Sequence, residues 1–341
     1  MIASSPVLRR VYWETTAACN LRCIHCRRVD ALDTVSPLQL TTPQAESMID
    51  DLAEMGKPVL ILSGGEPLYR ADIFRIASYA SSKGLPVALS TNGTLVTQKM
   101  ADKIKHSGIY YASISLDGAQ PQTHDRFRGA GNFDRAVEGF RRMKEAGLKV
   151  QINFTVTRGN VSELPQMLDL AQSLGACALY LFLLVPVGCG VQIAEEQMLS
   201  PDEVEKWLNW AHDRSLERKL EIRPICAPQY YRIAAQRGGR PAGDKRLGCL
   251  AGINICFISH TGDIYPCGYL PVGAGSIKEH ALSEIWAQSA VFSDLRDDNL
   301  LEGKCGVCSF RAVCGGCRAR GYFDEGSLMA DDSSCAYEPA L

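Results

Sequence analysis

The sequence contains no apolar run long enough to cross a bilayer, which takes about 18 or more residues. Its first residues, MIASSPVLRR, lack the apolar stretch of a secretory signal peptide. It also has no excess of charge, since 36 Lys and Arg face 38 Asp and Glu and leave a net charge of −2. Without a basic field to attract nucleic acid, we expect no nucleic-acid partner, no membrane span and a cytoplasmic location.

Cysteine, in contrast, is abundant, with 14 in 341 residues. In a reducing compartment such a number indicates metal ligands rather than disulfides. Cys19, Cys23 and Cys26 have C-x3-C-x2-C spacing directly after an apolar, strand-like run. A [4Fe–4S] cube normally takes four thiolates, so three would leave one iron open to a ligand that is not protein. A zinc knuckle is the alternative, but it prefers C-x2-C pairs with a fourth ligand nearby, and only His25 is available.

A second motif follows the next strand-like run, in the segment PVLILSGGEP at 58–67. Paired glycines at a strand end allow the backbone to approach a ligand closely. Three further polar groups follow later strand-like runs. They are Ser90, Thr91, Asn92 and Gly93; then Ser115 and Asp117; then His124, Asp125 and Arg128 in H-D-x-x-R.

Together these motifs resemble the radical S-adenosylmethionine (radical SAM) superfamily. The resemblance implies that Cys19, Cys23 and Cys26 hold a [4Fe–4S] cluster whose open iron is chelated by SAM. It also implies that GGEP holds the methionyl amino group, that a serine contacts the ribose region and that Arg128 pairs with the SAM carboxylate. Without the motif, Arg128 would be interpreted as a surface arginine. The expected SAM contacts are Gly64, Gly65, Glu66, Pro67, Ser90, Asn92, Ser115, Asp117 and Arg128.

Strand and helix patterns alternate along the first half of the chain. Strand-like runs lie near 10–14, 58–62, 86–90, 110–116, 149–156 and 179–185, and helical patterns lie near 43–55, 71–83, 96–106, 134–146 and 162–174. This βα alternation predicts an α/β fold with a parallel sheet. Six strands suit the partial (β/α)6 barrel of radical SAM proteins. The motifs fall at the C-terminal strand ends, where such barrels keep their active sites.

Composition and pattern divide the chain into three predicted regions. Residues 1–190 form the partial barrel, 191–245 a helical bridging region, and 246–341 a small cysteine-rich domain. Thr42 and Pro43 are expected to begin the first helix. Ser200, with Pro201 and Glu203, is expected to begin a helix in the bridging region through a capping box.

Eight cysteines lie in the last third of the chain, and their spacing resembles the SPASM extension, which carries auxiliary [4Fe–4S] clusters in radical SAM enzymes. The resemblance assigns one cluster to Cys249, Cys256, Cys267 and Cys317, and another to Cys305, Cys308, Cys314 and Cys335. The last pair has C-x2-C spacing, whereas the family usually has C-x3-C. This departure affects the assignment of Cys314 and Cys317 to different clusters. Two zinc ribbons are the alternative. Cys177 is expected to be a buried apolar residue, and Cys189 and Cys226 free thiols.

Longer segments resemble the haem-synthesis branch of SPASM proteins, most of all the haem b synthases of the sirohaem-dependent pathway. These are LFLLVPVGCG (181–190), GCLAGINICFISHTGDIYPCGYLPV (248–272) and CGGCRARGY (314–322). The resemblance implies a tetrapyrrole substrate, iron-coproporphyrin III, two of whose propionates become vinyl groups. It also implies an electron donor such as ferredoxin or flavodoxin.

The alternatives are the deacetylase acting on 12,18-didecarboxysirohaem, the haem d1 side-chain enzyme, a SPASM peptide maturase, and a noncatalytic iron–sulfur carrier. A leader-peptide-binding extension would favour a maturase, and we expect none. A carrier would need no SAM pocket.

Propionates need cations, and arginine suits carboxylates because its planar fork makes two hydrogen bonds. The sequence alone gives weak candidates, each of which is also an ordinary structural residue. They are Arg223, Arg232, Arg246, Arg318 and Arg320, with Tyr230 and Tyr231 as stacking candidates and His260 as a candidate iron ligand.

Overall fold

The computed structural model describes residues 7–28, 34–239 and 247–339. Six parallel strands follow one another in chain order across the sheet. They are β1 (Arg10–Glu14), β2 (Val59–Ser63), β3 (Val87–Thr91), β4 (Ile109–Ser115), β5 (Lys149–Val156) and β6 (Ala178–Leu183). The predicted α/β class and the six predicted strands are confirmed, each strand within two residues at either end.

Helices connect these strands and cover one face of the sheet with apolar side chains. They are α1 (Thr42–Glu54), α2 (Ile73–Ser82), α3 (Gln98–His106), α4 (Pro121–Arg128), α5 (Asn132–Glu145) and α6 (Leu164–Ser173). The first helix is capped one residue earlier than predicted, by Thr41, whose side chain accepts from the Gln44 amide in a capping box. Proline at the second helical position fits, because its missing N–H has no partner there in any helix.

The region predicted as a helical bridge also contains a strand. It holds α7 (Gly190–Gln197), α8 (Pro201–Leu216), β7 (Glu221–Ile225) and α9 (Gln229–Gln236). β7 pairs in parallel with β6 and so extends the sheet. The Ser200 capping box with Glu203 is present as predicted. The sequence pattern around β7 is too short and too polar to separate a strand from a turn.

The last third of the chain joins the opposite edge of the same sheet. It contains β8 (Ile255–Ile258), β9 (Asp263–Tyr265), β10 (Gly275–Ser276), α10 (Leu282–Gln288), α11 (Ala290–Arg296), α12 (Gly303–Val307) and α13 (Arg318–Glu325). β8 pairs in parallel with β1, while β9 and β10 pair antiparallel. The ten strands have the order β10-β9-β8-β1-β2-β3-β4-β5-β6-β7, so the sheet stays open, as in a partial barrel.

The two faces of the sheet differ at β1. Val11 and Trp13 are fully buried in the apolar core beneath the helices, whereas Tyr12 is 37% exposed. Successive side chains of a strand point to opposite faces, so Tyr12 belongs to the inner face of the partial barrel. In the part of the chain that the structure describes, no helix is long and apolar enough to cross a membrane.

Candidate active site and auxiliary cysteine sites

The loop after β1 brings the first three cysteines together. Cys26 donates its amide to the Cys23 carbonyl at 3.1 Å. Burial raises the pKa of the Cys19 thiol to about 11, and the charges of Glu66 and of the Cys23 and Cys26 thiols add to that effect. A cysteine must lose its proton to bind a metal. Three neighbouring thiolates repel one another, so they are stable only when a cation binds among them. The arrangement therefore fits a cluster that supplies the missing positive charge.

The GGEP segment holds this loop in place through its backbone. Gly65 donates its amide to the Thr16 carbonyl at 2.7 Å, and Glu66 donates to Ala18 at 2.8 Å. A Cβ atom on Gly65 would lie 2.4 Å from the Ala18 carbonyl oxygen, and one on Gly64 would lie 2.7 Å from that of Thr16. No side chain fits at such distances, so both glycines are required for the loop to approach β2.

Glu66 links GGEP to the end of β3. Its buried carboxylate accepts from the Thr91 hydroxyl at 2.7 Å and from the Asn92 amide at 2.8 Å. Burial is the main reason that the pKa of Glu66 rises to about 7. The Asn92 side-chain amide lies 4.0 Å from the Cys19 sulfur. Two motifs that are far apart in sequence therefore meet beside the cysteine loop, together with the buried Pro67.

Arg128 is not a surface residue, since its side chain is only 12% exposed. It pairs with Asp117, and its Nη1 lies 3.7 Å from the Cys23 sulfur. Asp117 also contacts His25 Nε2 at 3.1 Å and accepts from the Thr155 amide at 2.7 Å. Burial alone would raise the pKa of Asp117, but the Arg128 and His25 charges hold it well below its usual range. The site thus places a fixed cation against the thiols.

The remaining predicted SAM contacts occupy the same edge of the sheet. Ser90 lies next to the last residue of β3, and Ser115 ends β4. Their register partners are Ser113 and Asn153. All nine predicted contact residues therefore lie at or just beyond C-terminal strand ends or on the helix that follows β4. The contacts themselves stay predictions.

Four of the C-terminal cysteines line one cavity, together with Arg232, Lys304, Arg311 and Asp332. They are the four that the resemblance assigned to one cluster: Cys305, Cys308, Cys314 and Cys335. A cavity bounded by four thiols, with three cations against one carboxylate, suits an anionic iron–sulfur cluster.

The other predicted group is only partly assembled. Burial, followed by the nearby Cys249 and Cys317 thiols, raises the pKa of Cys267 to about 12. Cys256, in contrast, lies on β8 in the main apolar core, and burial alone raises the pKa of its thiol to about 12. The structure therefore does not bring Cys256 to its predicted partners, because the parallel pairing of β8 with β1 turns its side chain into the core. The thiol found beside the other three is Cys226.

Each cysteine group contains one sulfur that accepts a hydrogen bond from the backbone amide two residues later, at 3.4 Å. The pairs are Leu21 to Cys19, Tyr269 to Cys267 and Phe310 to Cys308. Hydrogen bonds to sulfur are one of the factors that set the reduction potential of iron–sulfur clusters. All three cysteine groups therefore share an amide-to-sulfur hydrogen bond of the kind that suits an iron–sulfur cluster.

In the described ranges, no three His, Cys, Asp or Glu side chains are arranged to hold a metal ion. A tetrahedral zinc ion needs its thiolates about 2.3 Å from one point, whereas a [4Fe–4S] cube takes one thiolate at each iron. The assignment of these cysteines to cluster sites stays a prediction.

Most candidate substrate residues have structural partners. Arg318 and Arg320 are buried, and Arg320 pairs with Asp332. Arg232 pairs with Glu205, and Arg246 lies outside the described residues. Tyr230 and Tyr231 pack edge to face against each other. Arg223, on β7, is 39% exposed, pairs with Glu221 at 2.8 Å and lies 5.3 Å from the ring of Tyr180 on the neighbouring strand.

Glu14 is a residue that sequence reasoning missed. Its buried carboxylate receives Arg27 and Arg28 from the cysteine loop, and His260 Nδ1 lies 2.8 Å away. His260 thus has a structural partner that ties the C-terminal region to the end of β1. The signal in the sequence is an acidic residue that ends an otherwise apolar strand, VYWE.

Comparison with known proteins agrees with this geometry. Residues 13–171 match the radical SAM superfamily, and residues 249–317 match the SPASM iron–sulfur cluster-binding domain. The AdoMet-dependent heme synthase of Methanosarcina barkeri is 42% identical, over 99% of both chains. The chain belongs to this radical SAM family. The AdoMet-dependent heme synthase of Oleidesulfovibrio alaskensis is 41% identical, over 98% of this chain and 89% of the relative.

Other radical SAM proteins match at lower identity. The pre-heme d1 synthase of Dinoroseobacter shibae is 34% identical, over 95% of this chain and 85% of the relative. The crystal structure of Streptococcus suis SuiB bound to precursor peptide SuiA has a TM-score of 0.79 at 18% identity, over 98% of this chain and 77% of SuiB. At that identity the likeness concerns the fold alone. As a radical SAM enzyme with a SPASM domain, the chain uses SAM, a [4Fe–4S] cluster and auxiliary iron–sulfur.

Proposed function

We propose that this enzyme converts two propionates of iron-coproporphyrin III to vinyl groups and so produces haem b in the cytoplasm. The observation that carries the proposal is the near-full-length identity of 42% and 41% to AdoMet-dependent heme synthases from two organisms. The likeness spans the barrel, the bridging region and the C-terminal third together. It therefore includes the inner face of the sheet, where a substrate would lie.

For the cofactor we propose that Cys19, Cys23 and Cys26 hold the cluster that binds SAM. When bound, the cluster and SAM supply a 5′-deoxyadenosyl radical able to take an unactivated hydrogen atom. Arg128 lies between Asp117 and the Cys23 sulfur, where it can meet the SAM carboxylate. Backbone groups of GGEP lie against the same loop and can meet the amino group.

The inner face of the partial barrel supplies the side chains that would bind the substrate. Arg223 projects from β7 near the rings of Tyr180 and Tyr231, and Tyr12 lies across from them on β1. Arginine suits a propionate, and aromatic faces suit a macrocycle. We propose that Arg223 binds one propionate and that these tyrosines contact the porphyrin.

The reaction requires an electron acceptor. Each propionate loses one hydrogen atom to the radical and then CO2, and forming the vinyl double bond releases one electron. We propose that Cys305, Cys308, Cys314 and Cys335 would hold an iron–sulfur cluster that supplies such an acceptor. An electron donor such as ferredoxin or flavodoxin would reduce the SAM-binding cluster before each cycle.

The test is anaerobic incubation of reconstituted enzyme with SAM, dithionite and single substrates, read by mass spectrometry. Iron-coproporphyrin III should lose two CO2 and four hydrogens, with two 5′-deoxyadenosines formed per haem. The panel also contains 12,18-didecarboxysirohaem and the precursor of haem d1. Turnover of either of these without turnover of iron-coproporphyrin III would overturn the proposal.

The second candidate is another tetrapyrrole side-chain enzyme. It is favoured by the 34% identity to a pre-heme d1 synthase and by the 32% identity to the Fe-coproporphyrin III synthase of Methanosarcina barkeri. The same substrate panel distinguishes the two candidates, because each substrate changes mass by a different amount.

A further inference from the structure

We propose that Cys226, rather than Cys256, completes the first auxiliary site, so that Cys226, Cys249, Cys267 and Cys317 hold one iron–sulfur cluster. The proposal concerns protein ligands and stands whichever tetrapyrrole the enzyme takes. It changes one member of the set that the resemblance to SPASM proteins implies.

The register of β8 keeps Cys256 away from the site. Cys256 pairs with Val11, and Phe257 pairs with Tyr12. Partners in a parallel pair share a face, so Cys256 lies with Val11 in the core under the helices. Its side chain is fully buried there. Reaching the other face would require the strand to slip by one residue, which would also turn Phe257 into the core.

The other thiols, in contrast, are not part of the main apolar core. Cys226 and Cys267 pack against a second apolar cluster, separate from the main core, that contains Cys317. Cys226, Cys267 and Cys317 therefore share one apolar cluster, whereas Cys256 belongs to the other.

One buried ion pair fastens two of these cysteines by their backbones. Arg320 Nη2 donates to the Cys226 carbonyl at 3.0 Å, and Arg320 Nη1 contacts Asp332 at 3.1 Å. Asp332 in turn accepts from the Cys317 amide at 2.7 Å. Arg320 and Asp332 are both fully buried, so this link has little freedom to move. It holds Cys226 and Cys317 at a fixed separation although they are far apart in sequence.

The backbone at Cys226 is itself unusual. Its φ angle is +55°, in the left-handed region that costs a residue with a side chain about 1 kcal/mol or more. Glycine would relieve that cost at the turn between β7 and α9, yet a cysteine occupies the position. A thiol that is needed at this point explains why.

The experiment compares Cys226→Gly with Cys256→Ala. Glycine adopts φ +55° freely, so the first variant removes the thiol without straining the turn. Reconstituted wild-type protein should hold about twelve irons in three cubes, and Cys226→Gly should fall toward about eight and lose one cluster's EPR signal. Cys256→Ala should keep both the iron and the spectrum. The reverse pattern, or an unchanged spectrum in Cys226→Gly, would overturn the proposal.

A measurement on the unmodified chain does not depend on a variant folding. Anaerobic holoprotein is treated with iodoacetamide, before and after oxidative removal of its clusters, and the modified cysteines are mapped by mass spectrometry. Cys226 should be protected in the holoprotein and become reactive together with Cys267 and Cys317. The partly buried Cys177 provides the comparison, with reactivity independent of the clusters. Reaction of Cys226 in the holoprotein at the rate of Cys177 would refute the assignment.

Discussion

The SAM-binding region and the C-terminal region bring their cysteines together in different ways. The first draws its three cysteines from one loop, residues 19–26, directly after β1. The second draws its cysteines from segments that are scattered between β7 and the end of the described chain. A ligand set within one loop can be identified from spacing alone, whereas a scattered set depends on strand register and on long-range contacts.

The polar surroundings of the two regions also differ. Arg128 in the first reaches a sulfur directly, while Arg320 in the second bonds to backbone carbonyls and to Asp332. The first arrangement presents charge to a ligand that arrives and leaves. The second fixes the positions of cysteines that we propose hold a permanent group.

The largest effect is expected in the loop. Replacing Cys19, Cys23 or Cys26 singly with alanine should abolish SAM cleavage, because a cluster with two protein ligands cannot present one open iron. The measurement is 5′-deoxyadenosine production under dithionite, with Cys177→Ala as the control. Near-normal production by any one of the three variants would exclude the assignment of that cysteine.

A ligand of the second region should affect the product more than the radical. In Cys335→Ala, SAM cleavage should persist, while the ratio of vinyl product to 5′-deoxyadenosine falls on the order of tenfold. Both quantities are measured in one reaction, after circular dichroism has confirmed the fold. A folded variant that keeps the wild-type ratio would show that this cluster is not the electron acceptor. Loss of both activities with loss of solubility would indicate a structural role.

The close approach of GGEP to the cysteine loop can be tested through stability. Gly65→Ala places a methyl group 2.4 Å from the Ala18 carbonyl oxygen, so we expect a loss of about 1–3 kcal/mol in the free energy of unfolding. Gly273→Ala is the matched control, since no atom lies within 4 Å of its added carbon. The midpoints of urea unfolding are compared for the two variants. Equal midpoints would mean that the cysteine loop shifts to accept the added methyl group without a loss of stability.

The smallest effect concerns pH. Burial and the Arg128 charge lower the pKa of His124 to about 4. Because the unfolded chain binds the proton more readily, the folded state loses stability as the pH falls from the unfolded value of about 6.5 toward 4. Between pH 7.5 and 5.5 this amounts to about 1.4 kcal/mol.

In His124→Asn, an oxygen can replace Nδ1 as acceptor for the Asp117 amide, so the dependence on pH should be shallower than in wild type. The exposed His106→Asn variant serves as the control and should keep the wild-type slope. Identical slopes in all three proteins would mean that His124 does not remain neutral in the folded state.

Much of the architecture could be predicted from local patterns. Alternating apolar runs and glycine stops gave the six barrel strands, because each pattern reflects burial on a sheet or helix face. β7 was missed because five residues containing Glu221 and Arg223 carry too little apolar signal. The position of Cys256 was missed for another reason. Spacing counts cysteines along the chain, but the face on which a side chain lies is set by the register with a distant strand.

The pairing of β8 with β1 has a consequence for how the chain is made. β1 leaves the ribosome first, yet the neighbour on one of its sides, Ile255–Ile258, is synthesised only after the whole barrel. Until then, the N–H and C=O groups along that side of β1 form an open sheet edge, the kind that recruits foreign strands. The cysteine loop extends directly from this strand. During synthesis this open edge therefore lies beside the cysteine loop of the nascent chain, until β8 covers it.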